Sequence, residues 1–271
     1  MDLSSYYLFS DIDGTLGTTC DGIPQKNVDA ITHFVNNGGN FALCTGRWAT
    51  DIKHFTVGLP VNEICIVNNG GAFYDYAAGK YFGVRALPDQ AVEYLQHMLS
   101  EEDALEAVTV IESGYFRIVN PKSLSTLLTN DFDCRLMKIG DIHAPHLKFV
   151  FNVPDSATAK EKISRWNSWN FPGVSFVQSS DTCVEMLPSG VNKGAAITQL
   201  CAMRGIPIEH TYFIGDCYND REAFQTVGYS ACVAEAPAEL QRLCDCVLGP
   251  CMNGALADFI YMMMGESLRS A

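Results

Sequence analysis

Along the first eighty residues the chain switches between two textures. The runs "YYLFSDID" (6–13), "NFALCTGR" (40–47) and "EICIVNNGGAFYD" (63–75) are almost continuously apolar, as strands covered on both faces are. Between the first two, "PQKNVDAITHFVNNGG" (24–39) sets Val28, Ile31, Phe34 and Val35 on one helical face and stops at Gly38, and a second helical stretch begins at Thr50. Strand, helix, strand, helix, strand in this order predicts a parallel sheet with helices on both faces.

From about residue 83 to 187 the pattern is mixed. "PDQAVEYLQHMLSEE" (88–102) and "DSATAKEKISRWNSW" (155–169) read as helices. "AVTVIES" (107–113), "YFRIVN" (115–120), "HLKFVFNVP" (146–154), "VSFVQSS" (174–180) and "TCVEMLP" (182–188) read as strands of an antiparallel or mixed sheet. The first texture then returns: a helix in "GAAITQLCAMRG" (194–205), a strand in "TYFIGD" (211–216), a helix in "REAFQTVG" (221–228) and a strand in "YSACVAEA" (229–236). The expected fold class is α/β: a doubly wound, Rossmann-like core from residues 1–82 and 188–271, interrupted by an inserted α+β domain at 83–187.

Composition narrows the partners. A formal net charge of −13 over 271 residues disfavours nucleic acid, whose binding depends on neutralising phosphates, while leaving room for one local basic pocket. No charged-then-apolar leader precedes the first strand, and the apolar run "FIYMMM" (259–264) is too short for a bilayer and reads as a core helix with a methionine edge. The expectation is a soluble, cytoplasmic protein, monomeric or homodimeric, acting on a small molecule without nucleic acid or membrane. The eleven cysteines are scattered. The cluster "LCDCVLGPC", with Cys244, Cys246 and Cys251, lacks a second ligand pair at zinc-like spacing and has no histidine nearby, so reduced thiols are expected there.

The chemistry gathers at strand ends. Residues two apart on a strand share a face, so Asp11 and Asp13 can look into one pocket with Ile12 turned into packing. Thr45 closes the second strand and Asp216 closes "TYFIG", and open parallel sheets bind ligands beyond the carboxyl ends of their strands. Asp11, Asp13, Asp216 and Asp220 would repel one another unless a cation joined them. Carboxylate oxygens without cysteine or histidine suit Mg²⁺ with a phosphate as co-ligand. Donors for that phosphate are the Thr45 hydroxyl, the backbone N–H groups of the Asp13–Gly14 turn and of Gly46, and Lys193 at the start of a helix. A calcium loop at "DIDGT" is excluded, because Leu16 and Gly22 stand where glycine and glutamate are required.

In this order, "DIDGTL", "LCTGR", "GVNKG" and "GDCYND" resemble the motifs of the haloacid dehalogenase superfamily of phosphatases. "NNGGA", "EMLPSGVNKG" and the large insertion resemble its Cof-type sugar-phosphate phosphatases, whose insertion is a specificity cap. The resemblance implies Asp11 as nucleophile and Asp13 as general acid and base. It implies Thr45, Gly46, Lys193 and Asn219 around the phosphoryl group, and Mg²⁺ on Asp11, the Asp13 carbonyl and Asp216, with Asp220 behind them. The implied activity is Mg²⁺-dependent hydrolysis of small phosphorylated metabolites, sugar phosphates first, through an aspartyl phosphate. A phosphomutase of the same architecture and a non-catalytic phosphometabolite-binding regulator are the alternatives. Ala223 and Phe224 replace the usual methionine and leucine, and Glu235 stands where asparagine is common.

Other residues admit two readings. Arg47 touches phosphate or is a surface group; Asn69 lines the pocket or serves the left-handed turn before Gly70; Glu185 faces the cleft or is structural. Trp166 and Trp169, three apart on a helix, are expected to pack and not to stack on a sugar.

Overall fold

The computed structural model describes residues 3–52, 57–102, 105–118 and 135–265. They form two compact units, one from Met1–Gly83 with Val191–Ala271 and one from Val84–Gly190. The first unit opens with β1 (Tyr7–Ser10), α1 (Gln25–Asn36), β2 (Asn40–Leu43) and α2 (Ala49–Ile52), then the meander β3 (Cys65–Val67), β4 (Ala72–Asp75) and β5 (Lys80–Phe82). The second unit runs α3 (Ala91–Glu101), β6 (Glu106–Ile111), β7 (Gly114–Ile118), β8 (Arg135–Met137), β9 (Lys148–Asn152), α4 (Ser156–Ser168), β10 (Val174–Ser180) and β11 (Cys183–Pro188). The chain returns to the first through α5 (Lys193–Arg204), β12 (Thr211–Gly215), α6 (Arg221–Phe224), β13 (Tyr229–Cys232), α7 (Ala238–Gln241), β14 (Cys246–Val247) and α8 (Ala255–Met263).

The sheet of the first unit has the order β14-β13-β12-β1-β2, every pair parallel, and a parallel bridge from Cys44 to Ile66 brings β3 alongside. β1 lies between β2, which follows it, and β12, which comes from the far end of the chain. Chain order reverses there, which opens a crevice at the carboxyl ends. The strands are short and buried, with Leu8, Phe9, Phe41, Leu43, Phe213 and Ile214 at 1% exposure or less, so both faces must be covered.

The α1 face is rotated from the expected one. Asn27, Ala30, Ile31 and Phe34 are buried, while Val28 and Val35 are half-buried. Asn27 accounts for this: its amide donates to the Leu16 carbonyl at 2.9 Å and its oxygen accepts from Ala257 N–H at 3.0 Å, tying α1 to the loop after β1 and to α8. The helix expected over 221–228 ends at Phe224. Thr226 N–H takes the Ala223 carbonyl three residues back, a tighter winding that brings Gly228 against the Glu209 backbone. Strands β5, β8 and β14 have two or three residues each, too few to show a period. Residues 53–56 of the stretch expected after Thr50, 119–120 of "YFRIVN", and Cys134 lie outside the described residues.

In the second unit the sheet order is β10-β11-β9-β6-β7-β8, antiparallel except for β7 with β8. One face, with Ala107, Phe149, Phe151, Val184 and Met186, packs on Leu95 and Met98 of α3 and Trp166 of α4. Trp166 is fully buried against Phe151 and Phe176, and its indole N–H donates to Glu102 at 2.8 Å. Trp169 packs on His97 and Phe171. In the first unit Trp48 is buried and stacked on Tyr81 at 4.1 Å. All three tryptophans are packing residues.

Buried His146 touches Thr109 Oγ1 with Nδ1 at 2.7 Å and packs on Phe149. Burial holds its pKa below the ordinary 6.5. The unfolded chain therefore binds this proton first as pH falls, and stability is lost through and below pH 6.5. His146→Gln is expected to flatten that acid limb, read from urea midpoints between pH 8 and 5; an unchanged limb would remove His146 as its cause.

Candidate active site

The loop after β1 is built around one carbonyl. Ile12 O accepts from the N–H groups of Thr15, Leu16 and Gly17 at 3.0–3.2 Å, coiling the chain immediately after Asp11, whose own N–H still holds Ile214 O across the sheet at 3.0 Å. Gly14 has φ of 80°, and a Cβ there would stand 2.5 Å from Asp216 Oδ2, so glycine answers both the left-handed backbone and the approach of a carboxylate. Thr15 Oγ1 donates to Asp216 Oδ1 at 2.7 Å. The Gly14 N–H, expected as a phosphate donor, is spent on the Gly17 carbonyl at 2.9 Å.

Three of the expected acids converge. Carboxylate oxygens of Asp11, Asp216 and Asp220 lie within 4.8 Å of one another. Lys193, fully buried at the first turn of α5, places Nζ 2.8 Å from Asp11 Oδ1 and 2.5 Å from Asp220 Oδ1. Asn192 caps that helix by accepting from Ala195 N–H, which fixes where the lysine starts. Asp220 turns its other oxygen to the N–H groups of Asp216 and Cys217 at 2.9 and 3.0 Å. It can do so because Gly215 has no Cβ, which would lie 2.5 Å from that carboxylate. Both Asp220 oxygens thus meet protein donors, while Lys193 meets one oxygen of Asp11 and Thr15 one oxygen of Asp216.

The electrostatics follow from burial. Asp11 is pushed up to about 7, by burial first and by Asp220 and Asp13 next, against the pull of Lys193. Asp216 is raised well above the carboxylate range by burial and by Asp11 and Asp220. Burial would lower Lys193, but Asp11 and Asp220 outweigh it and keep it an ammonium. Burial and like charge thus hold Asp11 and Asp216 toward their protonated forms, and a hard cation between them would favour ionisation instead. The neighbouring thiols of Cys44 and Cys217 are pushed up by burial. Among the described residues the group brought together consists of carboxylates alone, an all-oxygen donor set that suits a hard cation.

Asp13 lives differently. Its side chain is 48% exposed, and Arg47 grips it with a two-pronged fork, Nε to Oδ2 and Nη2 to Oδ1, both 2.6 Å. Arg47 also donates to Thr19 Oγ1 at 2.9 Å. Sequence reasoning missed Thr15 and Thr19; Thr15 stands inside the first motif, whereas Thr19 sits in a loop with no periodic signal. Arg47 is thus a partner of Asp13, an option neither of its two readings contained.

Thr45 is buried just past β2, where its N–H holds Ile66 O at 2.9 Å and its hydroxyl accepts from Arg47 N–H at 3.1 Å. Asn69 adopts φ of 55°, the left-handed turn conformation, and its amide oxygen accepts from Asn219 Nδ2, 2.9 Å away. Gly46 lies beside that amide, its missing Cβ 3.0 Å from Asn69 Oδ1. Buried Asn219 Oδ1 has no partner among the described residues. Glu185 lies on β11 of the second unit, where it takes Lys148 Nζ at 2.7 Å with both side chains nearly buried. Glu235 accepts the Cys251 N–H at 3.2 Å, holding the loop after β13 to the turn before α8.

Residues 8–260 match the haloacid dehalogenase-like hydrolase family. The HMP-PP phosphatase of Yersinia enterocolitica is 27% identical over 255 residues, 92% of each chain. The 5-amino-6-(5-phospho-D-ribitylamino)uracil phosphatase of Bacillus subtilis is 27% identical over 263 residues, 86% of this chain and 88% of that one. Among solved structures, a phosphatase of the haloalkanoate enzyme superfamily from Bacteroides thetaiotaomicron superposes with a TM-score of 0.80 at 18% identity, covering 96% of this chain and 95% of that one. A subclass IIB sugar phosphatase superposes at 0.78 with 17% identity, over 96% and 99%.

Lys193→Met leaves Asp11 and Asp220 facing each other without their ammonium. Breaking a buried pair costs about 3–5 kcal/mol. Because burial then favours the protonated acids, the loss should be largest near pH 8 and shrink toward pH 5, measured by urea denaturation with chelator present. Equal stability of variant and parent at both pH values would show the pair to be energetically idle.

Proposed function

This chain belongs to the haloacid dehalogenase-like hydrolases, of the Cof type, and from that membership we propose that it hydrolyses phosphate monoesters of small metabolites, Mg²⁺-dependently, through an aspartyl phosphate. The observation that carries the reading is the contrast between two carboxylates two residues apart: Asp11 buried against Lys193, Asp13 half-exposed in the fork of Arg47. Pairs of acids in opposed environments are what division between nucleophile and acid–base requires.

In this reading an Asp11 oxygen attacks phosphorus while the bond to the ester oxygen breaks, and Asp13 gives its proton to that leaving oxygen. Water then attacks the phosphoryl group, Asp13 takes a proton from it, and the Asp11–phosphorus bond breaks to release inorganic phosphate. Lys193 offsets charge on the phosphoryl oxygens, and Thr45, the Gly46 N–H and Asn219 orient them. Asn219 Nδ2 is held by Asn69 Oδ1, so Asn219 presents a donor to the phosphoryl group only if the two amides turn together. Mg²⁺ would be held by Asp11, the Asp13 carbonyl and Asp216, with Asp220 steadying Lys193 and the backbone behind them; it would neutralise charge gathering on the phosphoryl oxygens. The Arg47 fork occupies both Asp13 oxygens, so it must loosen for either proton transfer, and an arriving phosphate offers Arg47 another anion.

The inserted unit serves as the specificity cap. Sugar phosphates remain the favoured class, in keeping with the sugar phosphatase among the structural relatives. Phosphorylated heterocyclic metabolites come next, given the names of the curated relatives.

Inorganic phosphate release from a panel of sugar phosphates, nucleotides and phosphorylated cofactors tests this, with Mg²⁺ and with chelator. Release should need Mg²⁺. It should fall roughly a thousandfold or more in Asp11→Asn and about 10²–10⁴-fold in Asp13→Asn. Folded protein with Mg²⁺ bound that releases phosphate from nothing on the panel would overturn the reading.

A further inference from the structure

The cysteine cluster ahead of the last helix has no part in the chemistry above, yet two thiols meet there. Cys232 ends β13 and is fully buried; Cys244 precedes β14 and is half-buried; their sulfurs lie 3.0 Å apart. The contact is held from both sides. Between Cys244 and Cys246, Asp245 locks onto Ser230, with backbone N–H to Ser230 O at 3.0 Å and its carboxylate taking Ser230 N–H and Oγ at 2.8 and 3.0 Å. Cys246 is in register with Ala231, and its carbonyl lies 3.3 Å from Cys244 Sγ. Among the described residues no third thiol or imidazole completes a metal-ligand group here, so a two-electron dithiol fits the geometry and a zinc site does not.

We propose that Cys232 and Cys244 are a redox-active pair that closes to an intramolecular disulfide by exchange with a low-molecular-weight disulfide of the glutathione type. Cys244, the accessible partner, attacks as thiolate: its sulfur bonds to one sulfur of the oxidant, the oxidant's S–S bond breaks, and the first small thiol leaves with a proton. Cys232 then attacks Cys244 Sγ, its proton passes to the second departing thiolate, and the mixed disulfide breaks. The two cysteine sulfurs lose two electrons and the oxidant becomes two thiols. The hydrogen bond between the sulfurs lowers the Cys244 pKa and raises that of Cys232, which matches attacking and resolving roles. Closure needs the sulfurs to approach by about 1 Å, to a bond of about 2.05 Å.

The test is incubation of the full chain with graded ratios of oxidised to reduced glutathione, trapping of free thiols by alkylation, and peptide mapping by mass spectrometry. The expected product is a Cys232–Cys244 cross-link with two fewer titratable thiols, reversed by dithiothreitol. It should form equally in Cys246→Ser and be absent in Cys244→Ser. A Cys244–Cys246 link, or a lasting glutathione adduct on Cys244 with Cys232 still open to alkylation after unfolding, would overturn the pairing. Because the parent chain itself gives the decisive map, poor folding of a variant does not blunt the result.

Discussion

A fully buried ammonium between two buried carboxylates holds the first unit's crevice together. Lys193 reaches Asp11, past the end of β1, and Asp220, in the turn after β12, and so links segments that are 182 and 27 residues away in sequence. Dry charges are tolerated only when paired and hydrogen-bonded, so each partner constrains the others. Asp220 is anchored by two N–H groups, Lys193 by a capped helix start, and Asp11 by its bond to the neighbouring strand. Burial and mutual repulsion raise Asp11 and Asp216, and a hard cation beside them would favour their ionised forms.

Two glycines make the constellation sterically admissible. At Gly14 and Gly215 a single methyl group would run into Asp216 and Asp220. The parallel sheet supplies the rest: with β1 flanked by β2 and β12, elements from both ends of the chain deliver polar groups to one edge. Asp13 escapes burial by a turn of the loop and meets Arg47 at the surface. The chain thereby gives two neighbouring acids unlike surroundings with almost no separation in sequence.

The second unit rests on its own aromatic core around Trp166, Phe149 and Phe151, independent of the charged cluster. Its buried polar residues pair locally, Lys148 with Glu185 and Trp166 with Glu102. Lys148 and Glu185 sit on the adjacent strands β9 and β11, where direct pairing satisfies both charges.

Sequence alone determined the alternation of buried strands and helices, the interruption by a mixed α+β segment, and the roster of acids, threonine and lysine at strand ends. These follow from periodicity and from glycine and capping signals, which act within a few residues of one another. It also read Trp166 and Trp169 as packing, from their helical spacing. The tertiary structure alone decided which side chains meet. The Arg47 fork on Asp13, the Thr15 bond to Asp216, the Asn69–Asn219 pair and the Cys232–Cys244 contact join positions 12 to 201 residues apart. It turned α1 onto Asn27 in place of Val28, because two long-range hydrogen bonds outweighed a methyl-rich face. It also spent the Gly14 N–H within its own loop. The physical reason is common to all of these. Local pattern records how a segment buries its apolar surface, whereas the partner of a polar group depends on what the fold brings within 3 Å of it.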